Sequence, residues 1–178
     1  LGYLITDDDP DAIYLRAVEE RNHHSIVLRK SNEPTIPALG YKVASEEDID
    51  RAAAWFANKG YPTSFPDIPY QGRTLRTCDL FGMPLDFYYR MDQADCMLRK
   101  YATYKGARIQ RIDHLNCFTP DVQASYDFYT ELGFRLTEYT ETDGDDPQLW
   151  AVWMHRKGTV PDIAVTNGRG PRLHHIAV

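Results

Sequence analysis

An α+β fold built from a repeated module is predicted by three observations. Strand-like segments come in runs, a few helices carry clear capping signals, and one stretch of the chain recurs further along it. The 178 residues are 43% apolar and 26% charged, ordinary values for a globular protein. No apolar run approaches the roughly 20 residues that a membrane-spanning helix needs, and no basic-then-apolar leader opens the chain. Twenty Lys and Arg against 26 Asp and Glu leave a net charge of −6. Nucleic acid is therefore not the expected partner, because phosphate binding rests on clustered positive charge. Three cysteines, Cys78, Cys96 and Cys117, show no CxxC spacing, so a reducing cytoplasm is the expected setting.

The helices follow from their caps. Ser45 before Glu46, Glu47 and Asp48 is an N-cap with an acidic first turn; Ile49, Ala52, Ala53 and Phe56 form the apolar stripe, and Gly60 stops it. Thr119-Pro120-Asp121 opens a second helix with Pro at the first helical position. Its inward residues are Val122, Tyr126, Tyr129 and Leu132, and Gly133 ends it. Ala94, Met97, Leu98 and Tyr101 fit a third helix, a connector closed by Lys105-Gly106. Strands are expected at 12–18, 25–29, 38–43, 74–80, 85–89, 109–118, 149–154, 162–166 and 173–178, separated by Gly, Pro, Asn and Asp turns.

The repeat sets the organisation. Leu1-Gly2-Tyr3-Leu4-Ile5-Thr6 recurs as Leu132-Gly133-Phe134-Arg135-Leu136-Thr137. Ser25 to Leu28 lies against Asp162 to Val165, and Pro37-Ala38-Leu39 against Pro171-Arg172-Leu173. Each copy reads strand–helix–strand–strand–strand, and both copies are incomplete in the sequence. The expected division is residues 1–90 for the first module, 91–107 for a connecting helix and linker, and 108–178 for the second module.

Six histidines are the main candidates for chemistry. Alternation along a strand puts His114 with Asn116 and Phe118, and His175 with Leu173 and Ala177, while His174 takes the opposite face with Ile176. His114 and His175 could share a metal through imidazole nitrogens, or form a hydrogen-bonded core pair. Trp153 on a strand of the same module fits a core position or a ligand wall. His155 lies at a strand end, and the His23-His24 pair reads as structural or solvated. Asp7-Asp8-Asp9 and residues 143–146 lack the spacing of a calcium loop.

Three stretches carry a resemblance: Arg111 to Asn116 with Thr119-Pro120-Asp121-Val122, Ala151 to Val160, and Gly170 to His175. They resemble the homoprotocatechuate (3,4-dihydroxyphenylacetate) 2,3-dioxygenases, type I extradiol ring-cleaving enzymes of the vicinal oxygen chelate superfamily. The likeness extends through Ala12 to Arg16 and His23 to Arg29, and so covers nearly the whole chain. It implies tandem βαβββ modules of the vicinal oxygen chelate (glyoxalase–bleomycin resistance–dihydroxybiphenyl dioxygenase) fold. It further implies Fe(II), or Mn(II) in some members, held by two histidines and a glutamate, a facial set that leaves positions open for ligands.

By resemblance, His114 and His175 are the metal ligands, Asn116 lies beside the substrate, and Trp153 walls the pocket for catechol and O2. The third ligand, a Glu, is expected beyond Val178, because Pro84 to Tyr88 in the first copy matches the family strand that carries it. Where the family has an acid/base histidine, this sequence has Pro161, which can neither donate a hydrogen bond nor carry a proton. The activity implied is extradiol cleavage of a substituted catechol, 3,4-dihydroxyphenylacetate first among them, by a homo-oligomer, a tetramer by resemblance. The alternative is a catalytically impaired catechol- or metal-binding protein of the same fold.

Overall fold

The computed structural model describes residues 1–158 and 161–178; Thr159 and Val160, quoted in the resemblance above, lie outside the described residues. The chain divides into two compact units, Leu1–Cys78 with Pro84–Ile112, and Asp79–Met83 with Asp113–Val178. No helix among the described residues is long and apolar enough to cross a membrane.

The first unit holds two three-stranded sheets. One is an antiparallel meander of β1 (Leu4–Asp9), β2 (Ala12–Arg16) and β3 (Ile26–Arg29). The other has the order β4-β6-β5, with β4 (Leu39–Lys42) parallel to β6 (Pro84–Tyr88), and β5 (Thr74–Cys78) antiparallel to it. Helix α1 (Glu46–Asn58) starts where Ser45 Oγ accepts the Asp48 amide. It seats Ile49 and Phe56, both 0% exposed, in the core beside β5 and β6. Burying each such side chain stabilises the unit by about 1.5–3 kcal/mol.

The second unit is one five-stranded sheet of order β11-β7-β10-β9-β8. Its strands are β7 (Leu115–Thr119), β8 (Arg135–Glu141), β9 (Leu149–His155), β10 (Ile163–Asn167) and β11 (Arg172–Ile176). Helix α2 (Val122–Glu131) packs against β9 and β10. Val152, Met154, Ile163, Val165 and Cys117 are buried on one set of alternating positions, with Val122, Phe128 and Tyr129 of α2 buried as well. The other set carries Trp153, Asn116 and His175, so one face of the sheet is core and the opposite face presents the candidate site.

The repeat is visible in the backbone. Gly2 and Gly133 both take positive φ, 98° and 86°, which glycine adopts at no steric cost. Four residues on, Thr6 and Thr137 are each the extra residue of a β-bulge, between Ile5 and Asp7 in β1 and between Leu136 and Glu138 in β8. The two antiparallel meanders β1-β2-β3 and β8-β9-β10 are thus copies down to the bulge.

Three expectations are corrected. Residues 94–101 are not a helix; the segment is irregular, turns at Leu98-Arg99 and runs into a single 3₁₀ turn, Tyr101–Thr103. Two of its amides bond elsewhere in the unit, Ala94 N–H to Arg21 O at 2.7 Å and Met97 N–H to Val18 O at 2.7 Å, and so are not available for i−4 bonds. Pro120 is not the first helical residue, because Asp121 is the cap, its Oδ1 accepting the Ala124 amide at 2.9 Å. The strand expected over 109–118 begins only at Leu115. Strands β1 and β8 go unseen by alternation, since all seven residues of β8 are exposed and offer no apolar period.

Candidate metal centre

The register builds the site row by row. Trp153 on β9 pairs with Ala164 on β10, Ala164 pairs with Asn116 on β7, and Asn116 faces His175 on β11. Residues directly opposite in a ladder project to the same side, so Trp153, Ala164, Asn116 and His175 form one row on one face. His114 lies two residues before Asn116 and just ahead of β7, so the backbone alternation brings it to the same side. Its ring stands 5.6 Å from that of His175, centroid to centroid, at 71°.

His174 does not take the opposite face as simple alternation predicts. The β11–β7 register slips between Leu173 and His175, making His174 the extra residue of a bulge in which two residues oppose one partner. Its ring packs 4.6 Å from Phe118 and 4.8 Å from His175, on the side of the candidate site. The slip also moves Leu173 off the His175 face and puts Arg172 there, its guanidinium 4.7 Å above the Phe118 ring. Gly170 makes the approach of β11 possible, because a Cβ there would lie 2.1 Å from the Phe118 carbonyl oxygen.

The hydrogen bonds aim the rings. His114 Nδ1 lies 2.8 Å from Asp113 Oδ2. An ionised carboxylate can only accept, so Nδ1 carries the proton and Nε2 presents a lone pair. His175 Nδ1 lies 2.7 Å from His174 Nδ1, one donating and the other accepting. Burial, then the neighbouring His174 and His114, hold the His175 imidazole below its ordinary pKa, which favours the neutral form a metal requires. His114 thus uses Nδ1 for support and leaves Nε2 for a cation, the usual arrangement of ligating histidines, and His175 does the same in the tautomer whose Nδ1 donates to His174. Among the described residues no group of three His, Cys, Asp or Glu side chains gathers around the two rings.

Asn116 is buried, 4% exposed, and its Oδ1 accepts from Thr166 Oγ1 at 3.2 Å. That bond points the Asn116 amide N–H₂ away from Thr166. Trp153 is half-buried beside it. His155 is turned toward its own loop, Nδ1 donating to Lys157 O at 3.1 Å.

Sequence reasoning passed over Lys157 and Asp162. The Lys157 ammonium bonds the carbonyls of Pro161 and Asp113 at 3.0 Å each, and the Asp162 carboxylate at 2.7 Å. Asp162 Oδ2 also accepts the amides of Arg156 and Lys157. This knot fixes half-buried Pro161 and ties it to the residue that orients His114. The Lys-Gly turn followed by Asp was the only signal for it.

Residues 111–178 match the Glyoxalase/Bleomycin resistance protein/Dioxygenase superfamily. The chain is 36% identical to a solved anaerobic substrate complex of homoprotocatechuate 2,3-dioxygenase from Brevibacterium fuscum with 3,4-dihydroxyphenylacetate. That match has a TM-score of 0.92 and covers 98% of this chain and 55% of that one. It is 35% identical to the native homoprotocatechuate 2,3-dioxygenase of Arthrobacter globiformis, with a TM-score of 0.92, covering 98% and 54%. It is also 25% identical over 192 residues to a manganese-dependent 2,3-dihydroxybiphenyl 1,2-dioxygenase of Geobacillus genomosp. 3, covering 99% of this chain and 60% of that protein. The chain thus spans between half and two thirds of the length of these relatives.

Proposed function

We propose that this chain, whose fold and residues 111–178 belong to the Glyoxalase/Bleomycin resistance protein/Dioxygenase superfamily, is part of an extradiol ring-cleaving dioxygenase. Its substrate is a substituted catechol, with 3,4-dihydroxyphenylacetate the first choice, since a solved relative holds that compound. The observation that carries the reading is the single sheet face bearing Trp153, Asn116 and His175, with the His114 ring 5.6 Å from that of His175.

In this reading His114 and His175 hold Fe(II), or Mn(II) as in the manganese-dependent relative. A bound divalent metal supplies a Lewis-acidic centre where catechol oxygens and O2 can be brought together. The third donor is a glutamate that follows Val178. The first unit supports this, since Gly40 on β4 pairs in parallel with Asp86 on β6. Allowing for the bulge at His174, His175 takes the place of Gly40, so a strand paired with β11 like β6 would set a carboxylate opposite His175.

The chain's own residues do the rest. Asp113 holds the His114 proton on Nδ1. Thr166 fixes Asn116 so that its amide can donate to a substrate oxygen. Trp153 closes one side of the row and excludes water from the ring. Pro161 brings no proton to the site, and the neighbouring Lys157 ammonium is already engaged by three oxygens.

A second reading rests on Pro161: a protein of this fold that binds a catechol and metal but cleaves slowly. We place the enzyme in the cytoplasm and expect a homo-oligomer, which light scattering tests. Incubating the full-length protein with ferrous iron and 3,4-dihydroxyphenylacetate separates the readings. The dioxygenase gives a yellow ring-opened semialdehyde, and His114→Ala and His175→Ala each lose iron and product together. Iron retained by both variants sinks the metal assignment.

A further inference from the structure

The first unit contains an open groove of about 260 Å³, lined by none of the residues of the candidate metal centre. Its floor is Val18, 2% exposed, and its walls come from two chain segments bonded to that one residue. Val18 O accepts the Met97 amide at 2.7 Å, and Val18 N–H donates to Ile109 O at 3.0 Å. Leu98, Tyr101 and Tyr104 supply apolar and aromatic surface, and Arg99 and Arg108 supply charge, one from each of the two segments. The volume falls just below the roughly 300–1,000 Å³ usual for small-molecule sites, which limits an occupant to about one ring.

Two features single the arginines out. Both have left-handed backbone, φ 68° at Arg99 and φ 57° at Arg108, a conformation unfavourable for any residue with a Cβ. Glycine or asparagine would relieve it, yet arginine stands at both positions, and strain held by the fold clusters at functional places. Neither guanidinium has an ion-pair partner among the described residues. The nearby carboxylates are taken: Glu19 pairs with Arg111 at 2.9 Å, and Glu20 accepts the Ala17 and Ile112 amides and the Ser25 hydroxyl. Tyr104 Oη accepts the Arg99 amide at 2.7 Å, which anchors the strained residue and leaves the phenol proton free to donate into the groove. In a chain of net charge −6, this is a local cationic site facing an aromatic wall.

We infer that this groove binds a small aromatic carboxylate, its anion between Arg99 and Arg108 and its ring against Tyr101, Tyr104 and Leu98. The forked guanidinium geometry favours a carboxylate over a single-atom anion. The inference does not depend on the metal centre, and phenylacetate, which has no vicinal diol, tests it.

Calorimetric titration of the full chain with phenylacetate should give a Kd of about 1 mM or tighter. Benzyl alcohol, the same ring without the charge, should bind at least about tenfold more weakly. The variant Arg99→Gly/Arg108→Gly should lose about tenfold or more in phenylacetate affinity while its melting temperature stays level or rises, because glycine accepts positive φ. No binding to the wild type, equal binding of the alcohol, or unchanged affinity in the double variant overturns the inference. So does loss of binding in His114→Ala with the double variant unaffected, which would put the acid at the metal centre.

Discussion

His175 faces Asn116 across the β7–β11 ladder because the register slips by one residue at His174, and the approach of the two strands rests on Gly170. A Cβ at 170 would meet the Phe118 carbonyl oxygen at 2.1 Å, and backbone cannot step aside. Gly170→Ala should therefore move β11, lower stability by about 1–3 kcal/mol and cut metal content. At Gly168 the obstacle is the Phe118 ring, at 2.4 Å, which can rotate. Gly168→Ala should cost less and keep more metal; thermal melts with metal analysis rank the two, and the reverse order refutes the argument.

Asp113 orients His114 through a 2.8 Å bond to Nδ1. Asp113→Ala frees the ring and its tautomer without touching the metal-facing nitrogen. Metal affinity should fall about 10–100-fold while the fold persists. Titration with a competing chelator reads it, and an unchanged affinity would make Asp113 a bystander.

Thr166 gives buried Asn116 its hydroxyl donor at 3.2 Å. Thr166→Val keeps the shape and removes the donor, leaving the Asn116 carbonyl unsatisfied at a cost of about 1–3 kcal/mol. Thr166→Ser should recover most of that loss in denaturant unfolding. If Val and Ser behave alike, the bond contributes little.

In the first unit His23 and His24 are buried, with Nδ1 atoms 3.2 Å apart, and His23 stacks on Tyr70 at 3.8 Å. Burial, then the His23 and Arg29 charges, lower the His24 pKa to about 4. Burial also lowers that of His23, against the pull of Asp7 and Asp92. The unfolded histidines take up protons near pH 6.5 and the folded ones only at lower pH, so the unfolded state binds more protons in between. Stability should be full above about pH 6.5 and fall as the pH drops toward 4. Urea midpoints across that range measure it, and His24→Phe should flatten the slope.

Much of this was legible in the sequence because the signals were local. Ser45 capped its helix as expected, and the Leu-Gly repeat led to Gly2 and Gly133, whose matching φ and shared bulges at Thr6 and Thr137 make the copies plain. His114 and Asn116 were placed on one face by plain alternation, which holds through β7; that Trp153 shares this face follows from the pairing of β9, β10 and β7, which the sequence did not show. The orientation of His174 was not legible, since a bulge inserts one residue without changing the local composition. Residues 94–101 misled because apolar spacing of three and four also suits a segment with amides that bond a distant loop, at Val18 and Arg21. The Lys157–Asp162 knot depends on bonds to the backbone of Asp113 and Pro161, which no side-chain pattern announces.

Pro161 bears on the rate of the proposed reaction. Its carbonyl is held by Lys157, its ring carries no proton, and Asp162 beside it is spent on Lys157 and two amides. His155 is committed to the Lys157 carbonyl. If ring cleavage needs a proton moved at this place, the wild type should bind catechol and metal well but turn over slowly. In the proposed site, binding is assigned to His114, His175 and Asn116, none of which hydrogen-bonds Pro161. A positioned acid/base is worth about 10²–10⁴-fold in rate. Pro161→His should accordingly raise kcat by a large part of that factor and change the catechol KM far less. The substitution also frees the backbone at 161, so metal content and melting temperature must be measured beside it to show that the loop is kept. A fast wild type with kcat unmoved by Pro161→His means that another group carries the proton, and the role assigned to this position is wrong.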